Sequence, residues 1–411
     1  MIPKDEQPYK IPDNWRWTYI KSVAEVVTGS TPSKKCPQYY GGNFPFFKPA
    51  DLDVGRHVIK ASEYLSDEGK AVSRIIPAHS TAVCCIGSIG KCGYLEIEGT
   101  TNQQINAAIP KINPLYFYYY CLTDNFINEL LSKASATTIS IVNKTKMENC
   151  LFPLPPLDEQ QHIVDIIENL FAKLDRAKAL VQNVIDNYEL RRSAILHRAF
   201  NGELIKCNFQ RMTINSICKS LIYGTSKKSS KFGKTAVIRM GNLQNGEIDW
   251  SNLAYSDDDE EIEKYNLSVG DVLFNRTNSA ELVGKTSIYR GEYPAIYAGY
   301  LIKLDYNHNI LIGDYFNYML NAPEAKDYCQ RVKTDGVNQS NINAKKIGAF
   351  EVPIPNIEEQ KEIVRILDSL LAKEQRTKEL AEKVLQKIDL VKKAILARAF
   401  RGELKTNEVI F

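Results

Sequence analysis

The chain has 411 residues, of which 44% are hydrophobic and 25% charged, the balance of a globular protein with room for two to four domains. No run of about 18 apolar residues exists, which excludes a helical membrane span, and the first residues lack the apolar core of a signal peptide, so we expect a cytoplasmic protein. The formal net charge is only +3, so a nucleic-acid partner would have to bind local basic clusters.

The cysteines and histidines are scattered along the chain. There are nine cysteines and five histidines, and the adjacent Cys84 and Cys85 have a spacing that suits neither a zinc site nor a disulfide framework. We therefore expect reduced, mostly buried thiols. The sequence also lacks a convincing cluster of catalytic carboxylates with a lysine, and we predict neither a metal site nor a catalytic residue in this chain.

Residues 1–152 are predicted to form a mixed α/β globule. Residues 81–86 (TAVCCI) are a short run of apolar and β-branched residues, which is typical of a buried strand. Pro114 precedes an aromatic stretch, and proline is well tolerated in the first turn of a helix, so we expect helical structure at about 114–132.

Residues 153–204 predict one long helix. Pro153 and Pro155 precede it, and the acidic pair Asp158–Glu159 falls in the first turn, where negative charge interacts favourably with the helix dipole. Apolar residues then recur at alternating steps of four and three, the spacing of a coiled coil, and Gly202 suits the end of the helix. A helix of some 40 residues would be roughly 60 Å long and needs a packing partner.

Residues 205–352 are predicted to form a second mixed α/β globule with helical structure at about 312–330. It shares only faint similarity with the first globule, for example between Val27–Thr31 (VTGST) and Ile222–Ser226 (IYGTS). The predicted strands are 235–240, 271–274 and 295–297.

Residues 353–411 contain a second copy of the long-helix segment. An offset of 200 aligns 353–404 with 153–204 without a gap, and 24 of the 52 aligned pairs are identical. The chain is therefore a duplicated module, and we expect the two helices to pack against each other along their apolar stripes. The predicted domains are 1–152, 153–204, 205–352 and 353–411. The predicted helix-pairing residues are Ile163, Ile167, Leu170, Leu174, Val181, Val184, Tyr188, Ile363, Leu367, Leu370, Val384, Ile388 and Val391.

Three sequence features together resemble the specificity subunit of type I restriction–modification systems. Each helix segment opens with Pro-x-Pro followed by Glu-Gln-x-x-Ile-Val, and each closes with Ala-Ile-Leu-x-Arg-Ala-Phe-x-Gly-Glu-Leu. The first globule begins with Trp15 and the turn Gly29–Pro32 (GSTP). The resemblance covers nearly the whole chain, and the motifs are specific as a set.

The resemblance implies a mixed α+β fold in which two target-recognition domains are joined by two long helices, packed as an antiparallel coiled coil with a pseudo-two-fold internal repeat. Each domain would read one half of an asymmetric bipartite double-stranded DNA site. The helices would set the gap and dock two methyltransferase (modification) subunits, which endonuclease/translocase (restriction) subunits join. S-adenosylmethionine, ATP and Mg are then expected in the partner subunits, and this chain is expected to be non-catalytic and to bind no cofactor.

Basic and polar loops are the predicted DNA contacts. In both globules a glycine-led turn precedes a lysine cluster that would neutralise phosphates, although a merely solvated loop explains these lysines equally well. Arg, Lys, Asn and Gln side chains elsewhere suit base edges. The candidates in the first globule are Ser30, Thr31, Lys34, Lys35, Lys48, Lys91, Asn102, Gln103 and Gln104. Those in the second are Thr225, Lys227, Lys228, Lys231, Arg239, Asn242, Arg276, Asn278, Asn338 and Gln339.

Three other motifs are explained more simply by structure than by chemistry. Gly87–Lys91 lacks the spacing of a phosphate-binding loop and is expected to be a tight turn. Asn113–Tyr116 (NPLY) departs from the N-P-P-[FY] motif of DNA methyltransferases and is expected to open a helix. The acidic run Asp257–Glu261 would repel phosphate and is expected to be a solvated loop. Two alternatives stay open: an enzyme with a cryptic site, and a coiled-coil scaffold that binds proteins without reading bases.

Overall fold

The computed structural model describes residues 2–135, 140–337 and 339–404. The chain divides into two compact units, and the division falls after Gln182 and after Glu382, inside the two helix segments. Unit 1 consists of residues 1–182 and 383–411, and unit 2 consists of residues 183–382. Each unit therefore contains one globule and a part of each helix segment, so the compact units cut across the domain boundaries expected from the sequence.

The globule of unit 1 is built around an antiparallel four-stranded sheet. Its elements are β1 (Arg16–Tyr19), α1 (Ile20–Val23), β2 (Ala24–Thr28), β3 (Tyr40–Phe47), β4 (Glu63–Leu65), α2 (Asp67–Ala71), β5 (Ser80–Cys84), β6 (Cys92–Leu95), β7 (Thr100–Thr101), β8 (Ile105–Pro110), α3 (Pro114–Cys121), α4 (Asp124–Ser132), α5 (Lys144–Glu148) and β9 (Leu151–Leu154). The four-stranded sheet has the order β2-β8-β5-β6, a smaller sheet has the order β4-β3-β7, and β1 pairs with β9.

The predicted strand at 81–86 is present as β5, and the predicted helical region is present as two helices, α3 and α4. Thr123 separates them, because its hydroxyl accepts a hydrogen bond from the Phe126 backbone N–H at 3.2 Å and caps α4. The Asn113 side chain caps α3 in the same way, with Pro114 in the first turn. This confirms that the Asn-Pro motif opens a helix.

The globule of unit 2 has a four-stranded sheet of the same kind. Its elements are β10 (Gln210–Thr213), α8 (Ile214–Ile217), β11 (Cys218–Tyr223), β12 (Thr235–Ile238), β13 (Leu243–Gln244), β14 (Glu247–Ile248), β15 (Ala254–Ser256), α9 (Asp259–Tyr265), β16 (Val272–Asn275), β17 (Thr277–Asn278), β18 (Thr286–Ile288), β19 (Ala295–Tyr297), β20 (Leu301–Tyr306), α10 (Gly313–Leu320), α11 (Pro323–Val332), β21 (Thr334–Asp335), β22 (Ser340–Asn341), α12 (Ala344–Gly348) and β23 (Glu351–Ile354). The sheets are β11-β20-β16-β18, β15-β12-β19, β17-β22-β21, β13-β14 and β10-β23. The three predicted strands are present as β12, β16 and β19, and the predicted helical region as α10 and α11.

The prediction of one uninterrupted helix is right for the second repeat and wrong for the first. The helix bounds are α6 (Leu157–Asp186), α7 (Tyr188–Phe200) and α13 (Ile357–Ala399). Asn187 separates α6 from α7, and its side-chain amide donates to the Asn183 carbonyl at 2.8 Å. Arg191 Nη2 donates to the Val184 carbonyl at 2.9 Å. Such side-chain bonds to the backbone compete with the regular helical pattern and explain the interruption.

The paired helix segments run antiparallel within each unit. In unit 1, Lys178 Nζ of α6 lies 2.9 Å from Asp389 Oδ1 of α13, and one turn earlier on α6 Asp175 pairs with Lys392, further along α13. In unit 2, Arg191 Nε of α7 lies 2.7 Å from a Glu374 carboxylate oxygen of α13. The predicted antiparallel pairing is therefore confirmed in both units.

Most of the predicted pairing stripe faces inward. Val384 is an exception with 41% exposure, because the buried side of α13 steps from Ala381 to Leu385 and Ile388 instead. The predicted stripe is therefore wrong by one position here, since Leu385 and not Val384 lies on the buried side. The shift arises because a helix of 3.6 residues per turn drifts against a strict seven-residue repeat. Buried members of the predicted set are Ile163, Ile167, Tyr188, Ile363, Leu367 and Ile388, and half-buried members are Leu170, Leu174, Val181, Val184, Leu370 and Val391.

The repeated closing phrase of each helix segment completes the core of the globule in the same unit. Phe400, near the end of the last helix segment, is fully buried in unit 1, with its ring 5.0 Å from the ring of Tyr116 and 5.2 Å from that of Tyr120. In unit 2, Phe200 at the end of α7 packs 5.3 Å from the ring of Tyr315. The first globule is thus completed by Phe400, which follows the second globule in the sequence. The second globule is completed by Phe200, which directly precedes it.

The glycine in that phrase ends the helix in the predicted way. Gly202 and Gly402 have φ of +75° and +72°, a left-handed conformation that favours glycine. The next residue, Glu203 or Glu403, donates its backbone N–H to the carbonyl of the arginine five positions earlier at 2.9 Å in both copies. These are the bonds of a Schellman cap, and they explain the Gly-Glu pair in each repeat.

The glutamine in the opening motif ties the start of each helix to its globule. Gln160 is buried, accepts a hydrogen bond from the Asn113 backbone N–H at 3.1 Å and donates to the Pro155 carbonyl at 3.0 Å. Gln360 makes the equivalent bonds in unit 2, with Ile312 N–H as its donor at 2.9 Å. A buried amide with both ends satisfied explains why both repeats carry glutamine at this position.

Candidate nucleic-acid interface

The glycine-led turn after β2 has a structural counterpart after β11. The Gly29 backbone N–H donates to the Ile105 carbonyl at 2.9 Å, and the Gly224 N–H donates to the Leu301 carbonyl at 3.3 Å. A Cβ added to either glycine would lie 2.1 Å from a backbone carbonyl oxygen of the neighbouring turn. Only glycine fits this close approach, and the faint sequence similarity of the two turns reflects it.

A second matching feature follows β3 in unit 1 and β12 in unit 2. The Lys48 backbone N–H donates to the Asp51 carboxylate at 2.7 Å, and the Arg239 N–H donates to the Asn242 side-chain oxygen at 2.9 Å. In both units a short 3-10 helix begins at the next residue. A long cationic side chain therefore leaves the backbone at the same point of the two globules.

A third matching feature joins the end of β5 to the turn before β8 in unit 1, and the end of β16 to the turn before β20 in unit 2. The Cys85 N–H donates to the Gln104 carbonyl at 2.7 Å, and the Arg276 N–H donates to the Tyr300 carbonyl at 3.0 Å. Gln104 is half-buried and Tyr300 is 47% exposed.

These hydrogen bonds define one backbone frame that occurs in both units, which we call the shared frame. Its equivalent residues have the same hydrogen-bond partners although their side chains differ in chemistry. The equivalent pairs are Gly29 and Gly224, Ser30 and Thr225, Phe47 and Ile238, Lys48 and Arg239, Asp51 and Asn242, Cys85 and Arg276, Asn102 and Ala298, Gln104 and Tyr300, Ile105 and Leu301, and Val142 and Ile342.

The predicted lysines of unit 1 differ in availability. Lys48 Nζ lies 2.5 Å from a Glu63 carboxylate oxygen, and Lys91 Nζ lies 2.5 Å from Asp53 Oδ1. The pair Lys34–Lys35 is exposed in the turn that follows the shared glycine. The exposed pair is therefore better placed to meet phosphates, whereas a phosphate at Lys48 or Lys91 would have to compete with a carboxylate.

The segment that carries Lys91 is a tight turn between β5 and β6, as predicted. Gly87 and Gly90 have φ of +79° and +87°, and the Gly90 N–H donates to the Cys84 carbonyl at 2.9 Å. This is the geometry of a strand connection, in which the glycines supply left-handed conformations.

The acidic run of unit 2 is not a free solvated loop, which corrects the prediction. Asp258 caps α9 by accepting the Glu261 N–H at 3.1 Å, and its other oxygen lies 2.6 Å from Lys227 Nζ. The hydrogen bond to Asp258 raises the pKa of Lys227, and the same bond lowers the pKa of Asp258. Lys227 is thus paired with a carboxylate, while Lys228 and Lys231 of the same loop are exposed.

Three predicted contact residues are buried, and we correct their assignment. Asn242 is 3% exposed, and its amide donates to the Asp249 and Asn252 carbonyls at 2.9 and 3.0 Å. Thr225 is 5% exposed and accepts the Lys227 N–H, and Asn102 bonds through its amide to the Gln104 side chain. Their polar atoms are used inside the globule, so these residues stabilise the frame.

The two predicted arginines are held by their surroundings. Arg276 lies over the ring of Tyr223 at 4.9 Å and donates to the Asn341 side-chain oxygen at 3.3 Å. Arg239 Nη2 donates to the Asn252 carbonyl at 3.0 Å. Both guanidinium groups are therefore fixed in orientation, which lowers the entropy lost when such a group binds a planar acceptor.

The remaining predicted contacts are side chains of the loops around the shared frame. Thr31 and Gln103 are exposed and hydrogen-bond to each other, and Gln339 is exposed on the turn before β22. Ser30 and Asn278 are half-buried, and Asn338 lies outside the described residues.

Sequence reasoning missed Tyr300 and Tyr223. Neither is charged; Tyr223 precedes Gly224 in the matched turn, and no local motif marks Tyr300. Their positions beside the shared frame become visible only when the hydrogen bonds of Gln104 and Tyr300 are compared.

The described residues contain neither a candidate metal-binding group nor a membrane-spanning helix. In the described part of the chain, no three or more His, Cys, Asp or Glu side chains come together as a metal-binding group. No helix among the described residues combines the length and apolar character that crossing a membrane requires.

Known proteins are similar to this chain over almost its whole length. The specificity subunit of type I restriction enzyme EcoKI from Escherichia coli (strain K12) is 23% identical, over 96% of this chain and 90% of that protein. A chain solved in work on complex assembly and conformational transition of the type I R-M system has a TM-score of 0.75 at 20% identity, covering 97% of this chain and all of that one. The HsdS subunit from Thermoanaerobacter tengcongensis has a TM-score of 0.64 at 20% identity, with coverage of 97% and 100%.

The family pattern described as "Type I restriction modification DNA specificity domain" matches residues 12–184 and again 207–386. The two matches repeat the duplication found in the sequence and in the shared frame. The chain therefore belongs to the family of type I restriction–modification DNA specificity subunits.

Proposed function

We propose that this chain is the non-catalytic DNA-recognition subunit of a type I restriction–modification complex, and that each unit reads one half of an asymmetric bipartite site in double-stranded DNA. Methylation and cleavage, with S-adenosylmethionine, ATP and Mg, are assigned to the partner subunits. The family to which the chain belongs supports this division of labour.

The observation that carries the proposal is the shared frame with its unlike side chains. Two globules with the same backbone scaffold present the same positions to a ligand. Because Gln104 is replaced by Tyr300 at an equivalent position, the two surfaces favour different bases there. Two unlike readers predict a site whose halves differ in sequence.

The helices are proposed to dock two methyltransferase subunits, which the restriction subunits join. Both units expose leucines at repeat-related positions of the two helix segments: Leu180 and Leu390 in unit 1, and Leu190 and Leu380 in unit 2, with exposures between 52% and 68%. The 200-residue repeat makes the two pairs chemically alike. Two like apolar surfaces suit two copies of one partner.

A mobility-shift experiment tests the proposal against both alternatives. With a net charge of +3, the isolated chain is expected to bind DNA weakly, and the complex with its methyltransferase partner to bind tightly and sequence-specifically. A scaffold that reads no bases would leave the sequence preference of the complex unchanged when residues of the shared frame are substituted. Methylation or cleavage by the purified chain with cofactor and Mg would instead show that it is an enzyme.

Exchange of a globule tests the assignment of half-sites. Replacing residues 1–152 by the corresponding segment of a relative is expected to change one half-site and to preserve the other. The exchanged segment must keep Tyr116 and Tyr120, because Phe400 packs against them. A change in both half-sites would contradict the proposal of one reader per unit.

A further inference from the structure

The shared frame allows the two globules to be compared residue by residue, which the sequence does not. Around one backbone hydrogen bond, from Asn102 N–H to the Phe47 carbonyl in unit 1 and from Ala298 N–H to the Ile238 carbonyl in unit 2, the chain continues in the same way. One residue after the acceptor comes a cation, and two residues after the donor comes the turn residue of the third matching feature. These two positions lie one and two residues away from the same backbone hydrogen bond in both units.

The first position is Lys48 in unit 1 and Arg239 in unit 2. Both backbones are fixed by the same side-chain cap, and both side chains are held from a neighbouring segment, Lys48 by Glu63 and Arg239 by Asn252. The Lys48 side chain remains 37% exposed. An oriented, partly exposed cation is suited to the N7 and O6 acceptors of guanine, which at Lys48 would compete with the Glu63 carboxylate.

The second position is Gln104 in unit 1 and Tyr300 in unit 2. Their backbone carbonyls accept equivalent bonds from Cys85 and Arg276, so the backbone geometry is the same while the side chains are unlike. Gln104 Oε1 accepts a hydrogen bond from Asn102 Nδ2 at 2.9 Å, which orients the amide and leaves a second lone pair and the Nε2 donors for the N6 and N7 atoms of adenine. A tyrosine instead offers an apolar ring and one hydroxyl.

We infer that Gln104 and Tyr300 occupy the specificity-determining position at which the two units select different bases, and that Lys48 and Arg239 supply each unit with a cation suited to guanine. The inference rests on the proposed function and narrows it to four side chains. The buried members of the frame keep the same structural role in both units, since a glycine and an Asp or Asn cap occur in each.

The alternative explanation is that these side chains only bind phosphates. Removing a phosphate contact lowers the affinity for all DNA sequences equally. Removing a base contact changes the preference at one base pair. The two explanations therefore predict different results for the same substitutions.

The experiment uses the full chain assembled with its methyltransferase partner. Methylation is measured on a library of DNA sites in which each base pair of both half-sites is varied in turn. Gln104→Ala is expected to reduce discrimination at one base pair of one half-site by about 5- to 150-fold, and Tyr300→Ala to do so at one base pair of the other half-site. The double exchange Q104Y with Y300Q should alter the preference at the same two base pairs.

Matched controls keep folding and surface effects separate. Gln38 is an exposed glutamine of unit 1 outside the frame, and Tyr293 is 59% exposed at the opposite end of β19 from Tyr300. Gln38→Ala and Tyr293→Ala should leave every base-pair preference unchanged. Thermal unfolding of each variant, with an unchanged midpoint, shows that the substituted chain is folded.

Two outcomes overturn the inference. Affinity that falls uniformly for all sequences would make these positions phosphate contacts, and unchanged profiles would remove them from the interface. In either case the unsubstituted complex still shows its two-part preference. If the unsubstituted complex shows no such preference, the proposed function itself fails, and the two failures are thereby distinguished.

Discussion

Substitution of Phe400 tests which globule the C-terminal helix end stabilises. Phe400 is fully buried in unit 1, with rings of Tyr116 and Tyr120 at 5.0 and 5.2 Å. A buried Phe→Ala change costs about 3–5 kcal/mol, and each aromatic contact contributes about 0.5–1.5 kcal/mol of specific interaction. We therefore expect Phe400→Ala to destabilise unit 1 by about 4 kcal/mol, a fall of about 2 M in the urea midpoint for a slope of about 2 kcal/mol per M.

Hydrogen–deuterium exchange with peptide resolution is the assay, because it reports the two units separately. Peptides from 80–132 should lose protection in Phe400→Ala, while those from 235–330 should keep it. Leu390→Ala on the same helix, where the side chain is 64% exposed, should cost less than about 0.5 kcal/mol. Phe200→Ala should reverse the pattern and weaken unit 2.

The result that would refute this reasoning is a loss of protection in unit 2 for Phe400→Ala. The helix that carries Phe400 directly follows the second globule in the sequence, so local packing along the chain would predict that outcome. An equal loss of protection in both units would indicate that the chain unfolds in one cooperative step. Phe400 would then not stabilise unit 1 separately, and Phe200 would not stabilise unit 2 separately.

Three further predictions follow from specific contacts. Asp258→Asn keeps the cap of α9 and removes the nearer carboxylate from Lys227, which retains only the 3.8 Å pair with Glu261, so DNA affinity of the complex should rise and the slope of log K against log salt should steepen by up to about 1; Glu263→Gln on the same helix should change neither in a fluorescence titration. Gln360→Leu leaves the Ile312 N–H without its partner and should lower the free energy of unfolding of unit 2 by about 1–3 kcal/mol in urea titration; no loss would contradict the role of this amide. Insertion of four helical residues in both helix segments, where the units divide, adds about 6 Å and should lengthen the gap in the methylated site by about two base pairs, while altered half-sites would contradict the ruler role.

The structure suggests a different position at which an insertion would change the length of the gap in the DNA site. From the sequence, the joint at 201–206 between helix and globule is predicted to control the gap. In the structure α7 and the following globule lie in the same compact unit, and Leu204 packs against its core. An insertion at 201–206 is therefore expected to disturb unit 2, and the gap is expected to respond to insertions near Gln182 and Glu382.

Features with a local or periodic cause were predictable from the sequence. The strand β19 lies where its apolar run predicts it, and the glycine caps at Gly202 and Gly402 follow from the position of glycine at the end of an apolar period. The antiparallel pairing of the helices came from the family resemblance and agrees with the Lys178–Asp389 and Arg191–Glu374 pairs.

Features that depend on how a loop folds, or on contacts between distant parts of the chain, were not predictable in this way. Asn242 has the composition of a base-reading residue, but its amide is consumed by backbone carbonyls brought to it by a later loop. Tyr300 has no local signal, and its equivalence to Gln104 exists only in the hydrogen bonds of the shared frame. The packing of Phe400 in unit 1 joins residues almost 300 positions apart, which no helical period encodes.

A methylation map of a genome exposed to the assembled complex tests the central claim most directly. We expect one asymmetric motif made of two unlike specified parts, separated by a gap of constant length with no base preference. Methylation at a single continuous motif, or at a palindrome with identical halves, would contradict the claim that two unlike units on one backbone frame each read half of the site.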